Sequence, residues 1–237
     1  MISRFVGDGA AGIYSVAYSV SMILTILTTS SNQALVPKLY ENIKEDNLDK
    51  LKKTIYLLLV ATALALGFIM LFGPEIIRIV ATDEYIDAIW VIPPIMSSLL
   101  FTFIYQLFAN IEFYFKKNEY IIFASIVAAI ANVALNYYFI PIYGFIAAAY
   151  TSLFCYIVYG VFHYYCAYCL IKKNKLYWPF NVSSVLFIAC VLMGLMVVSL
   201  LLYQYSTIRY AVICVSMLLL FKYKSKIIKL YYKVKTQ

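Results

Sequence analysis

The sequence predicts an all-α polytopic membrane protein of about seven transmembrane helices, with the N-terminus outside the cell and the C-terminus inside. Three observations predict it. Hydrophobic residues make up 65% of the chain and charged residues only 13%, about half the usual charged share and too little to clothe a water-soluble fold. Five stretches lack Asp, Glu, Lys and Arg altogether: 9–37, 54–74, 88–111, 120–171 and 176–208. Each reaches the roughly 20 residues that cross a hydrocarbon core as helix. The basic residues, finally, alternate between successive connections.

The elements follow in order. No compact apolar core after Met1 ends at a small-residue cleavage site, so no cleavable signal peptide is expected. The first span is placed at 9–36, stopped by Pro37. Segment 38–53, KLYENIKEDNLDKLKK, has Leu39, Ile43, Leu48 and Leu51 at near-helical spacing, with Asp46/Lys50 and Asp49/Lys53 as i,i+4 pairs. It is expected to be a short helix lying on the cytoplasmic face. The second and third spans are placed at 54–73 and 88–110. The uncharged run 120–171 is too long for one span, and Pro141 and Gly144 divide it into 120–140 and 145–170. A residue before proline is biased away from helix. The sixth span is 182–203 and the seventh 206–222, its reach extended by Arg209 and Lys222 snorkelling to the interfaces.

Orientation comes from the lysines. Lys38, Lys44, Lys50, Lys52 and Lys53 follow the first span; Lys116 and Lys117 follow the third; Lys172, Lys173 and Lys175 follow the fifth; the tail carries the rest. The opposite side holds only Arg4, Arg78 and Arg209. By the positive-inside rule the tail is cytoplasmic. The net charge of +8 is therefore a topology signal rather than a mark of nucleic-acid binding. Trp90, Tyr177, Trp178, Tyr203 and Tyr205 stand at span edges, where amphipathic rings sit among headgroups.

Within the apolar runs the polar residues are patterned. Tyr14, Tyr18, Ser21, Thr25, Thr28 and Asn32 fall at alternating steps of four and three on one helical face. Such a stripe either packs against another helix or lines a hydrated substrate pathway. Ala124, Ala128, Asn132 and Asn136 form one edge of the fourth span, and Gly144, Ala148 and Ser152 one edge of the fifth. Small residues let two backbones approach, and an amide there can hydrogen-bond across the contact. The two spans form an antiparallel hairpin, and the asparagines are read as packing groups that hold the pair to its neighbours.

His163, Cys166 and Cys169 spell H-x-x-C-x-x-C, but ligands at that spacing do not converge on one helix face, so no metal is expected. The five cysteines lie in apolar segments and read as small buried hydrophobes rather than a disulfide framework. The sequon Asn181-Val-Ser183 falls on the side read as cytoplasmic and is discounted. No span carries a charged residue near its centre, which argues against acid–base catalysis and leaves no catalytic residues to name.

Three stretches go further: MISRFVGDGAAGIYSVAYS (1–19), SNQALVPKLYEN (31–42) and NVALNYYFIPIYGFIAAAYTS (132–152). In order and spacing they resemble the second half of bacterial polysaccharide (O-antigen type) flippases of the multidrug/oligosaccharidyl-lipid/polysaccharide exporter superfamily. The first resembles the entry into that family's eighth helix, the second the end of that helix, and the third its Asn-rich, Pro-x-x-Gly hairpin. The resemblance implies a fold like helices 8–14 of a fourteen-helix, two-lobe transporter. Residues 1–171 would then be an incomplete C-terminal lobe of five helices, and 172–237 two extra helices with a basic tail. Met1 would be an internal methionine and the chain a truncated product or fragment.

By the same resemblance, the Tyr14–Asn32 stripe would face the cavity between lobes. The implied function is flipping of a lipid-linked oligosaccharide across the bacterial inner membrane for surface polysaccharide, such as the O-antigen of lipopolysaccharide. Such a protein is no enzyme and uses no cofactor. Its partners would be membrane lipid, the lipid-linked oligosaccharide, and the missing N-terminal lobe or a second copy, with no nucleic acid. The alternatives are a small-molecule exporter of the same superfamily, a membrane-embedded enzyme of the same pathway, and an inactive remnant.

Overall fold

A computed structural model describes residues 1–218 and Lys222. The Lys50 side chain lies outside the described part, and with it the expected Asp46/Lys50 pair, as do 219–221 and the tail beyond Lys222. The described residues are mostly helical and include no strands. The elements are α1 (Ile2–Val6), α2 (Asp8–Lys44), α3 (Leu51–Leu71), α4 (Gly73–Val80), α5 (Ile92–Tyr114), α6 (Asn118–Tyr143), α7 (Ile146–Lys173), α8 (Val182–Leu202) and α9 (Ser206–Leu218). Two 3-10 runs, Leu48–Lys50 and Asp83–Val91, lead into α3 and α5. Among the described residues six helices are long and apolar enough to cross a membrane, as a multi-pass membrane protein requires, while α9, the described part of the predicted seventh span 206–222, is shorter.

Prolines place three boundaries differently from the sequence reading. α2 continues through Pro37 to Lys44, and α6 through Pro141 to Tyr143. Each proline costs its helix one hydrogen bond, to the carbonyl of Gln33 or Tyr137. Ending the helix there would free several backbone groups at once, which is worse where water is scarce. α6 stops instead at Gly144, which adopts φ +70 and donates its N–H to the Ile140 carbonyl. The third predicted span starts at Ile92 rather than 88, because Pro93 and Pro94 fit only the first turn, where no intrahelical donor is needed.

Segment 38–53 is not a separate surface helix. Its first half is the last two turns of α2 and its second half leads into α3. Leu39, Ile43, Leu48 and Leu51, picked out by their spacing, are all buried core residues. Asp49 pairs with Lys52 at 2.5 Å rather than with Lys53.

α5 lies at the centre of the molecule, packed by α7, α2, α3 and α8. Its Met96, Leu100, Phe103, Leu107 and Ile111 are buried in one core shared with Leu59 and Leu66 of α3, Leu153 and Ala167 of α7, and Ile188 and Leu192 of α8. α6 is the outermost long helix. It buries only Ala124 and Ile140 and docks on α7 as the hairpin predicted from the charge-free connection.

The lysine-rich end has a repeated construction. α2, α5 and α7 each finish in the same cap, with Asp46, Lys116 and Lys175 in the left-handed region at φ 53, 55 and 57. In each, that residue's N–H reaches back three residues and the next N–H reaches back five, for example Lys116 to Phe113 and Lys117 to Glu112. This pairing satisfies the last carbonyls of each helix.

Two rings read as interface markers turn inward. Trp178 packs among Phe108, Tyr164, Tyr168 and Phe180. Tyr203 donates its hydroxyl to the Met70 carbonyl at 2.5 Å. Tyr177 and Tyr205 remain exposed.

Candidate functional site: a tyrosine-lined groove and a buried glutamate–histidine pair

Two helical faces form a groove of about 320 Å³ between α6 and α7. α6 contributes Ser125, Ala128, Ala129 and Asn132; α7 contributes Ser152, Cys155, Tyr156 and Tyr159. Both sets follow the i, i+3, i+4, i+7 spacing of a single helix face. Ser125, Ala128 and Ala129 on α6 keep that wall shallow, and the tyrosines of α7 supply the aromatic surface. The Ser125 and Tyr159 hydroxyls are 2.8 Å apart and tie the two walls together. From α5, Tyr105 stacks on Tyr156 at 6.3 Å between centroids and meets Tyr159 edge-on at 4.5 Å. From α2, Tyr14 and Tyr18 stack on each other and lie beside Ser152 and Tyr156 respectively. The groove therefore carries aromatic faces, hydroxyls and one amide, with no charged side chain among its lining residues.

The predicted stripe on α2 does not run at one depth. Tyr18 is exposed; Tyr14, Thr25 and Asn32 are half-buried; Ser21 and Thr28 are buried. The hydroxyls of Ser21, Thr25 and Thr28 donate to the carbonyls of Tyr18, Ser21 and Thr25 at 2.5, 3.1 and 2.9 Å. Asn32 accepts from the Asn110 amide of α5 at 2.7 Å. Tyr14 and Tyr18 lie next to the groove residues Ser152 and Tyr156, whereas Asn32 belongs to the contact between α2 and α5.

Asn132 and Asn136 bond within the hairpin. Asn136 donates to Asn132 Oδ1 at 2.9 Å and accepts from the Thr151 hydroxyl at 2.5 Å. Asn132 donates to the Ser152 hydroxyl at 3.4 Å. The bonds to Thr151 and Ser152 run from α6 to α7 and the bond between the two asparagines stays within α6, rather than any reaching from the hairpin to its neighbours.

Beyond the groove floor lies the group that sequence reasoning missed. Glu112 of α5 and His163 of α7 are fully buried, with Nδ1 and Oε1 2.7 Å apart. The Tyr105 and Tyr159 rings lie against the imidazole at 5.7 and 4.4 Å. Glu112 lies just past the uncharged run 88–111, at the end of the third predicted span. Only the close packing of α7 on α5 takes it out of water. His163 pairs with this carboxylate, while Cys169 points to the exposed surface and Cys166 is half-buried. No group of three or more potential metal ligands occurs among the described residues.

At the opposite end, Arg209 at the start of α9 is buried against Glu75 of α4. Tyr210 donates to the same carboxylate at 2.6 Å, and the guanidinium lies 5.9 Å from the centre of the Tyr203 ring. Asn181, the discounted sequon residue, caps α8 by accepting from the Ser184 N–H. No protein-family model, curated protein or solved structure matches the chain.

Proposed function

We propose that the chain is one lobe of a membrane transporter that moves a lipid-linked oligosaccharide across the bacterial cytoplasmic membrane, with the groove between α6 and α7 as part of the pathway. The observation that carries this reading is the groove's chemistry. Sugars present apolar C–H faces and rings of hydroxyls without charge. Tyr14, Tyr18, Tyr156 and Tyr159 offer flat apolar bodies with polar tips, and Asn132, Ser125 and Ser152 offer further hydrogen-bonding groups. The exposed apolar residues of α6, among them Ile122, Ile126, Ile130 and Val133, suit contact with lipid chains beside the groove. No lysine or arginine lines the groove, so the pyrophosphate of such a carrier would be held by another chain, either an N-terminal lobe or a second copy. The resemblance of 1–19, 31–42 and 132–152 to polysaccharide flippases points the same way, with the lysine-rich end cytoplasmic. The alternatives differ in cargo: a small-molecule exporter would bind drug-like compounds in the groove, and an inactive remnant would bind nothing.

Native mass spectrometry of the purified chain in detergent tests this, with a polyprenyl-pyrophosphate oligosaccharide and the same lipid lacking its sugar as probes. The expected result is preferential binding of the sugar-bearing lipid, weakened about tenfold by Tyr18→Ala or Tyr156→Ala, as the loss of about 1.4 kcal/mol of aromatic contact would produce. Equal binding of both probes, or affinity unchanged by either substitution, overturns the reading.

A further inference from the structure

We propose that Glu112 and His163 form a proton-binding site, which holds one shared proton at net zero charge while α5 and α7 are packed together, and whose gain or loss of a proton separates the two helices. The site stands on three observations. Both side chains have no solvent exposure. They bond to each other at 2.7 Å through Nδ1 and Oε1. Their outer atoms, Glu112 Oε2 and His163 Nε2, have no hydrogen-bond partner.

Those facts fix the charge arithmetic. With one proton shared, the pair is either carboxylate and imidazolium or carboxyl and imidazole. Both are neutral overall and both keep the single bond. Removing that proton leaves carboxylate beside neutral imidazole, a net negative charge. Adding one gives carboxyl beside imidazolium, a net positive charge. Either leaves an uncompensated charge in a dry interior, which is expensive unless water or another charge reaches it. Nothing nearby supplies that charge. Salt bridges of the pair to other groups are absent among the described residues, and its ring contacts are Tyr105 from α5 and Tyr159 and Phe162 from α7. Cys166 of α7 lies within electrostatic reach of Glu112. The pair's hydrogen bond and ring contacts involve no residue of α2, α3, α6 or α8 among the described residues. A change of protonation is therefore relieved by admitting water between α5 and α7, so proton binding and helix separation are linked. In a transporter lobe this would couple proton movement to gating, a consequence that rests on the transporter reading; the site itself does not.

The experiment needs no cargo, so its failure is distinct from failure of the proposed function. Trp178 reports on the contact, since it stacks on Phe108 of α5 at 6.1 Å and meets Tyr164 and Tyr168 of α7 edge-on. With Trp90→Phe it is the sole tryptophan. Its emission is recorded in lipid nanodiscs from about pH 4 to about pH 9, which spans the ordinary glutamate and histidine range and stays below tyrosine. The expected result is a reversible red shift at one or both ends of that range. The acid-end shift is lost in His163→Gln, the alkaline-end shift is lost in Glu112→Gln, and Cys166→Ala keeps whatever the parent shows, with helicity followed by circular dichroism. Should a single variant fail to fold, the Glu112→Gln/His163→Gln double variant, which restores a neutral hydrogen-bonded pair, must also lose the shift. No shift in the parent chain, a shift that survives removal of both groups, or a shift abolished by Cys166→Ala overturns the proposal.

Discussion

Single side chains decide how α6 is held. This helix buries almost nothing, so its attachment to α7 rests heavily on the Asn132, Asn136, Thr151 and Ser152 network. Hydrogen bonds between helices in membranes average about 0.6 kcal/mol. Asn136 makes one such bond, accepting from Thr151, and steadies Asn132 within α6 by a second. Asn136→Leu is therefore expected to weaken the hairpin by about 0.6 kcal/mol, read as faster amide hydrogen exchange in α6 with α5 unchanged. Lys116 is a residue of the opposite kind, exposed and held at φ 55. A side chain there costs about 1–2 kcal/mol, and glycine would return about 0.5–1 kcal/mol of that as unfolded-chain entropy. Lys116→Gly is therefore expected to raise stability by roughly 0.5 kcal/mol, measurable as a higher denaturation midpoint.

At the scale of elements, α9 shows how a short helix is kept in place. Arg209 is 2% exposed and meets Glu75, which also accepts from Tyr210, while Tyr203 just before α9 bonds the Met70 carbonyl of α3. Removing one partner of a buried ion pair leaves the other uncompensated and costs about 3 kcal/mol. Arg209→Gln is expected to lower the thermal midpoint and to expose α9 to proteolysis before the rest of the chain. Gly73→Ala acts on the same junction: a methyl group would stand 2.5 Å from the Tyr203 hydroxyl and displace it from Met70. The loss expected is about 1 kcal/mol, one hydrogen bond. The existence of the six long helices was legible, because uncharged length is a strong signal, whereas the short α1 and α4 were not read from the sequence. Helix ends were not legible either. Pro37 and Pro141 read as stops by local rules, yet the helices run through them, because one lost bond costs less than a freed backbone turn.

The whole molecule places its two ionic clusters at opposite ends: the fully buried Glu112–His163 pair towards the lysine-bearing turns, the partly buried Glu75–Arg209 pair at the far end. Lysine placement predicts which end is cytosolic. With native cysteines replaced, a cysteine introduced as Asp83→Cys is expected to react with a membrane-impermeant maleimide in intact cells. One introduced as Asn174→Cys is expected to react only after lysis. The reverse pattern would invert the bundle and move Glu112–His163 to the outer side.

Composition and spacing within single helices were enough for the helical class, for six of the seven predicted spans and for the α6–α7 hairpin, and of the groove residues they picked out Ala128, Asn132 and Ser152. They also singled out Leu39, Ile43, Leu48 and Leu51, though as a surface face rather than core. Only the tertiary structure decided which polar residues are dry. Glu112 and His163, 51 residues apart, are fully buried together, and Arg209, 134 residues from Glu75, is buried against a half-buried carboxylate. Glu112 and Arg209 stand at span edges where local reading expects water, while His163 lies inside the fifth span. Burial is a property of what packs opposite a side chain, and no periodicity within one helix records it.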